Sequence, residues 1–193
     1  MNTATGTDCE RTWVEEALRD ARAFERLYNL YFPRVYAYVS YRVGRVQDTE
    51  DLVADTFLKA VTGLRKFQWR REGSFASWLF RIAHNAVTDY YRQIGRCDEP
   101  LPLDDLPQLV SGTLRPEDMV LQNEKFAHLR HLIATLPPRR QEVITLKFFG
   151  ELRNSEIAGV LGLDERTVAS HLCRGIEDLH RKYLDEQAAQ EDP

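Results

Sequence analysis

No stretch of this sequence approaches the roughly 18 consecutive apolar residues that a membrane-spanning helix requires, and Met1–Cys9 lacks the basic-then-apolar pattern of a secretory signal. Both absences predict a chain that stays in the cytoplasm. Cysteine is scarce: Cys9, Cys97 and Cys173 are odd in number and show no CxxC spacing, which excludes a disulfide framework or a zinc ribbon and leaves free thiols. No phosphate-binding loop, nucleophile elbow or HExxH pattern occurs, so nothing points to an enzyme or a cofactor. His128 and His131 lack cysteine or acidic ligands beside them and read as solvent-facing, not as metal ligands. Alternating strand patterns are missing as well.

What is present is a chain of 193 residues, 43% of them apolar, enough for one large or two small packed domains. A net charge of −4 argues against a protein that coats nucleic acid nonspecifically. Charge is nevertheless segregated. Asp48, Glu50, Asp51 and Asp55 precede a basic stretch with Arg70, Arg71, Arg81, Arg92 and Arg96, and the tail carries Asp185, Glu186, Glu191 and Asp192. Such an acidic surface calls for a basic partner other than DNA.

Apolar residues recur at three- and four-residue steps almost throughout, which predicts an all-α fold. Helices are expected over about Arg11–Tyr31, Pro33–Val43, Asp48–Leu64, Ser74–Ile94, Pro116–Thr135, Pro138–Phe149, Asn154–Leu161 and Asp164–Leu184. Asp48 is a candidate cap for the third, with Asp51 three residues on; Ser74 suits the fourth, and Pro116 and Pro138 suit first-turn positions. Between Gly95 and Arg115 the pattern stops, and Pro100, Pro102, Pro107 and Gly112 mix with Asp98, Glu99, Asp104 and Asp105. This divides the chain into domains at 1–96 and 116–193, joined by a flexible acidic linker at 97–115. The linker reads either as a solvated spacer or as an anionic segment lying in a basic channel made for RNA.

Residues 154–179, NSEIAGVLGLDERTVASHLCRGIEDL, fit a helix-turn-helix. Ile157 and Ala158 take the interhelical contact, Gly162 the turn, Val168 the angle between helices, and Asp164 the second cap. On that helix Val168, Leu172, Ile176 and Leu179 form the expected buried stripe, and Arg166, Ser170, Cys173, Arg174 and Glu177 the opposite, groove-facing side. Arginine pairs bidentately with guanine, and Ser170 and His171 suit bases or phosphates.

In the N-terminal half, Asp51, Asp55, Leu58 and Thr62 share one helical face while Val53, Phe57, Ala60 and Leu64 share the other. The first face reads as a solvated surface with one stray leucine or as a docking surface for a basic helix. On the next helix Phe75, Trp78, Leu79, Ile82 and Ala86 form a core stripe, leaving Arg81, Asn85, Thr88 and Arg92 as a polar face suited to a DNA strand. The preceding loop adds Phe67, Trp69, Arg70 and Arg71, a mixture that suits stacking an unpaired base, although its aromatics also suit a core.

These motifs together resemble the bacterial sigma factors of the compact extracytoplasmic-function group. Region 2 is resembled from about Ala23 to Arg96 through DTEDLVADTFLKAV and GSFASWLFRIAHNAVTDYYR, and region 4 from about His128 to Tyr183 through LPPRRQEVITLKFFG and SEIAGVLGLDERTVASHLCRGIEDL. The resemblance implies promoter-specific initiation with core RNA polymerase, whose clamp helices would meet Asp51, Leu52, Asp55 and Leu58. Phe67, Trp69, Arg70, Arg71, Arg81, Asn85, Thr88 and Arg92 would melt and read the −10 element. Arg166, Thr167, Ser170, His171 and Arg174 would read the −35 element as duplex. It further implies a linker routed through the polymerase cleft, an anti-sigma protein as a partner, and a free chain that is monomeric. Ala54 and His171 depart from the family's frequent glutamine and arginine, removing one polar contact and making another dependent on histidine charge. The alternative, an autonomous helix-turn-helix regulator, leaves the Asp51/Leu58 face unexplained. Residues 1–22 carry no assigned role, and modification of Cys173 beside Arg174 would offer a redox control of −35 binding.

Overall fold

A computed structural model describes residues 4–69, 74–95 and 127–191. The linker at 97–115, the first-turn position expected for Pro116, Arg70, Arg71, Arg96 and Cys97 lie outside them. Among the described residues every regular element is helical: α1 (Ala4–Arg19), α2 (Phe24–Val43), α3 (Val46–Gly63), α4 (Phe75–Gln93), α5 (residues 127–134), α6 (Pro138–Phe148), α7 (Asn154–Leu161) and α8 (Glu165–Glu191), with short 3-10 turns at Ala21–Ala23 and Leu64–Lys66. The all-α expectation holds.

The first helix boundary differs from the expected one. The chain breaks at Asp20, whose carboxylate accepts the Arg22 amide at 2.9 Å, and α2 then runs through Pro33 without stopping. Proline fixes φ near the helical value, and Pro33 is exposed, so the carbonyl it leaves without a donor is open to water. The third helix begins at Val46 with no side-chain cap, correcting the role expected of Asp48. Asp48 instead accepts the Tyr90 hydroxyl at 2.7 Å and pairs with Arg45 at 3.2 Å, tying the start of α3 to the end of α4. Burial and then the bond to Asp48 push the Tyr90 hydroxyl pKa up to about 12. Ser74 does cap α4, taking the Ser77 amide at 3.2 Å, and Pro138 does open α6.

Val53, Phe57, Ala60 and Leu64 are buried as their periodicity requires. Helix α4 buries a different set from its expected stripe: Phe75, Leu79 and Ala86 are buried as expected, Trp78 and Ile82 are only half-buried, and Phe80, Ala83 and Val87 are fully enclosed. The cause is a second neighbour. Helices α2 and α3 cover one side of α4, and α7 from the C-terminal half covers another, so one apolar cluster runs from Val14 and Leu79 to Leu146, Ile157 and Val168.

Polar contacts seal this junction. Glu156 of α7 accepts Ser74 Oγ at 2.8 Å, and its backbone carbonyl accepts Ser77 Oγ at 3.2 Å. The same carboxylate accepts the Arg153 amide and guanidinium, each at 2.8 Å. Arg34 of α2 donates to the carbonyls of Gly150 at 3.0 Å and Glu151 at 2.9 Å while lying over the Tyr31 and Phe80 rings. Tyr41 stacks on Phe149 at 4.3 Å. Burial acts to raise the Glu156 pKa, but the bonds from Arg153 and Ser74 outweigh it and hold the carboxyl below its ordinary value. Nearby Glu10, bonded to the Tyr31 hydroxyl, is shifted the other way, upward, chiefly by burial.

Two outcomes follow from this shared core. Ile157→Ala should cost about 2–5 kcal/mol. Because Trp13, Trp69 and Trp78 all belong to the N-terminal half, their fluorescence reports whether the halves unfold together. Their denaturation midpoint should fall in this variant; an unchanged midpoint would mean independent halves. Glu156→Gln should cost about 1–3 kcal/mol at neutral pH. A depressed folded-state pKa stabilises above the ordinary carboxylate range and loses that effect as pH falls through the folded value, so the gap to wild type should narrow on acidification. Urea melts at pH 7 and pH 4 check this.

Candidate nucleic-acid interface

The C-terminal pair of helices meets through Ile157 and Val168, both with no accessible surface. Gly162 between them has φ +65°, a left-handed turn conformation that side-chain-bearing residues rarely adopt, and the Leu163 amide bonds back to the Ala158 carbonyl at 3.0 Å. Asp164 then accepts the Arg166 amide at 2.8 Å and starts α8. Asp178, bonded to Arg140 and at 2.8 Å to Arg181, holds α8 on α6.

This geometry leaves Arg166, Thr167, Ser170 and Arg174 exposed along one edge at the start of α8, with His171 half-buried beside them. Cys173 is exposed on the same side, and its thiol donates to Glu177 at 3.2 Å. That bond and the Glu177 charge raise the thiol pKa above its ordinary value, against the smaller effect of Arg174, so the geometry disfavours the thiolate that redox control needs.

One member of the expected buried stripe is misplaced. Ile176 is 44% exposed and lines an apolar groove of about 490 Å³ with Leu129, Ile133, Phe148 and Tyr183. The groove was not foreseen from the sequence, although Ile176, Leu179 and Tyr183 at helical spacing beside the Phe148–Phe149 pair carry its signal. His128 also departs from its solvent-facing expectation: its imidazole meets the Glu186 carboxylate and lies near Tyr183. Among the described residues no group of three or more His, Cys, Asp or Glu could hold a metal.

In the N-terminal half two polar strips lie on neighbouring helices. On α3, Asp51 is exposed, Leu52 is half-buried against the core, and Asp55 pairs with Lys59 at 2.6 Å. Leu58 is 63% exposed, a large apolar side chain standing in an acidic surface. On α4, Arg81 and Asn85 are exposed and Thr88 is half-buried, its hydroxyl bonded to the His84 carbonyl at 2.8 Å. Arg92 pairs with Asp89 at 2.8 Å, an exposed ion pair of the kind that is weak in water and easily exchanged for a phosphate.

The loop aromatics are packed. Phe67 meets Trp69 edge-on at 5.1 Å and also touches Phe75 and Trp78, at 5.7 and 5.1 Å. Both rings are half-buried against the core, which favours the core reading of these aromatics in this state.

The α7–α8 geometry defines a helix-turn-helix protein. Comparison with known proteins narrows this class. The Sigma-70 region 2 family matches residues 27–97 and Sigma-70, region 4 matches residues 127–179. The chain is 33% identical over 167 residues to the ECF RNA polymerase sigma factor BldN of Streptomyces coelicolor, covering 86% of this chain and 62% of that one. It is 29% identical over 174 residues to the ECF sigma factor SigW of Bacillus subtilis (86% and 91% covered), and 31% identical over 170 residues to the ECF sigma-E factor of Haemophilus influenzae (84% and 88%). Among solved structures, CnrH in complex with the cytosolic domain of CnrY matches with TM-score 0.65 and 26% identity over 92% of this chain and 97% of that one. The sigma factor RpoE of Bartonella quintana, in complex with the anti-sigma factor NepR, shares the fold at TM-score 0.60, with 20% identity and 88% and 98% covered. The chain belongs to the bacterial sigma-70 family, in its extracytoplasmic-function group, whose members direct promoter-specific transcription initiation. No described helix is long and apolar enough to cross a membrane.

The Cys173–Glu177 bond gives a direct expectation. Glu177→Gln removes the charge that raises the thiol pKa, so Cys173 should alkylate several-fold faster at neutral pH. Peptide mass spectrometry after timed iodoacetamide treatment measures this, and an unchanged rate would show that Glu177 does not hold the thiol.

Proposed function

We propose that this chain, as a sigma factor in the cytoplasm, brings core RNA polymerase to promoters through three separate surfaces. The observation that carries the reading is that three strips, on α3, α4 and α8, combine exposed polar residues with a helix whose other face is committed to the core. Asp51, Leu52, Asp55 and Leu58 would take the basic clamp helices: the carboxylates steer the approach, and burial of Leu58 holds the complex. Arg81, Asn85, Thr88 and Arg92, with the loop of Phe67, Trp69, Arg70 and Arg71, would follow the displaced strand of the −10 element. Packed as they are, Phe67 and Trp69 support that loop, and stacking on a base would require them to swing outward. Arg166, Thr167, Ser170, His171 and Arg174 would enter the major groove at the −35 element, where a bidentate arginine–guanine pair discriminates by about 1–3 kcal/mol.

The partition into a clamp and −10 domain at 1–96, a linker at 97–115 and a −35 domain at 116–193 belongs to the same reading. So does an anti-sigma partner, supported by the complexes that CnrH and the Bartonella RpoE form with the cytosolic domain of CnrY and with NepR. The free chain would be a monomer.

Transcription with purified core polymerase on fragmented genomic DNA, followed by sequencing of RNA 5′ ends, tests the proposal. New start sites sharing two upstream motifs at fixed spacing are expected only when the protein is added; their absence would move weight to an autonomous regulator. Leu58→Asp should weaken core binding at least tenfold in a titration. Arg174→Ala should leave core binding unchanged and lower output from promoters carrying the −35 motif.

A further inference from the structure

Helix α1 lies outside both stretches matched by the sigma-70 regions, and one residue on it is out of keeping with its neighbours. Glu10, Trp13, Val14 and Ala17 recur at three- and four-residue steps and share the face turned to the core. Three of them are apolar. The fourth, Glu10, is a carboxylate only 7% exposed. Burial is the largest influence on it and raises its pKa, so at neutral pH its charge works against folding. A helix held only by packing has no use for it.

What the carboxylate provides is direction. It accepts the Tyr31 hydroxyl of α2 and the backbone amide of Ala76, in the first turn of α4 beside the Ser74 cap. Apolar contact is non-directional and tolerates sliding, whereas a hydrogen bond to one amide fixes the rotation of α1 against the start of α4. Helix α1 also touches the Leu64–Lys66 turn. It therefore braces the chain on both sides of the loop from Phe67 to Gly73, since the turn leads into that loop and α4 leads out of it. Trp13 packs against the same apolar cluster as Phe67, Trp69 and Trp78. A loop whose ends are fixed beforehand gives up less conformational freedom when it takes a base.

We propose that Glu10 is a positioning residue for promoter opening: its carboxylate sets α1 against the start of α4, and the loop between the braced ends is thereby held to take an unpaired base of the −10 strand. The inference rests on the reading of that loop as a base-capturing element. Glu10, being buried, touches neither DNA nor polymerase and acts through the loop. Two kinds of variant separate positioning from stability. Glu10→Gln keeps the shape and removes the charge and one of the two acceptor oxygens. Glu10→Met together with Tyr31→Phe replaces both partners by apolar groups and keeps the ring against Phe75, an exchange that leaves stability equal or higher.

The test uses holoenzyme assembled from core polymerase and each chain. Its affinity is measured for a single-stranded −10 oligonucleotide, taken from the mapped start sites, and for a set in which each nucleotide in turn is abasic. Trp69→Ala marks the nucleotide that the loop takes, as the position whose abasic cost falls in that variant. In wild type that cost should be about tenfold or more, the worth of one stacked base. It should largely vanish in Glu10→Gln and in the double variant, while core affinity and the costs at other positions stay as in wild type and the double variant melts no lower. A cost at the marked position that is unchanged in either Glu10 variant, or an even loss of affinity at every position, would overturn the proposal and leave the loop reading standing. No position marked by Trp69→Ala would overturn the loop reading itself, and the role of Glu10 with it.

Discussion

Two helices begin at one carboxylate. Ser74 caps α4 and donates to Glu156, while Glu156 closes the first turn of α7 through the Arg153 amide. Negative charge is favoured at a helix N-terminus, where free amides and the peptide dipoles concentrate positive potential, and here two such ends converge. A carboxylate only 6% exposed is otherwise costly to keep ionised; three donors and two helix ends make it tolerable. The direction of α7 sets the turn at Gly162 and so the direction of α8. Both strips proposed to read DNA therefore inherit their orientation from the Glu156 junction.

The polar strips were legible because they are the complement of the core. Once Val53, Phe57, Ala60 and Leu64 are assigned inward, Asp51, Leu58 and Thr62 have nowhere to point but out. The helix-turn-helix was legible for a further reason: Ile157, Gly162 and Val168 sit at distances in sequence that a two-helix corner fixes locally. Ser74 could be identified as a cap because its bond to Ser77 is also local.

What escaped the sequence depends on which elements meet in space. Phe80, Ala83 and Val87 lie outside a single helical stripe, and their burial makes sense only once α7 covers a second side of α4. Ile176 keeps perfect helical spacing with Val168 and Leu172, yet the groove in front of it stays open. Pro33 looked like a boundary since proline costs an amide bond, but a solvent-facing position makes that loss small; Asp20, with its side chain on the Arg22 amide, was the quieter and stronger signal. Phe67 and Trp69 combine ring chemistry suited to bases with contacts to Phe75 and Trp78, which only coordinates separate.

Helix α8 does not stop where the helix-turn-helix ends. It continues for 27 residues, about 40 Å, as one rod. The residues proposed to face the groove, Arg166 to Arg174, occupy one end, and the acids Asp185 and Glu186 lie about 11 to 20 residues further on, roughly 16–30 Å away along the axis. That separation is about two to four screening lengths at physiological ionic strength, so these acids add little repulsion toward phosphates at the other end. The helix thus acts as a ruler that holds the two charge groups apart. It acts also as a handle, since whatever grips the acidic end tilts the edge of Arg166 and Arg174 with it.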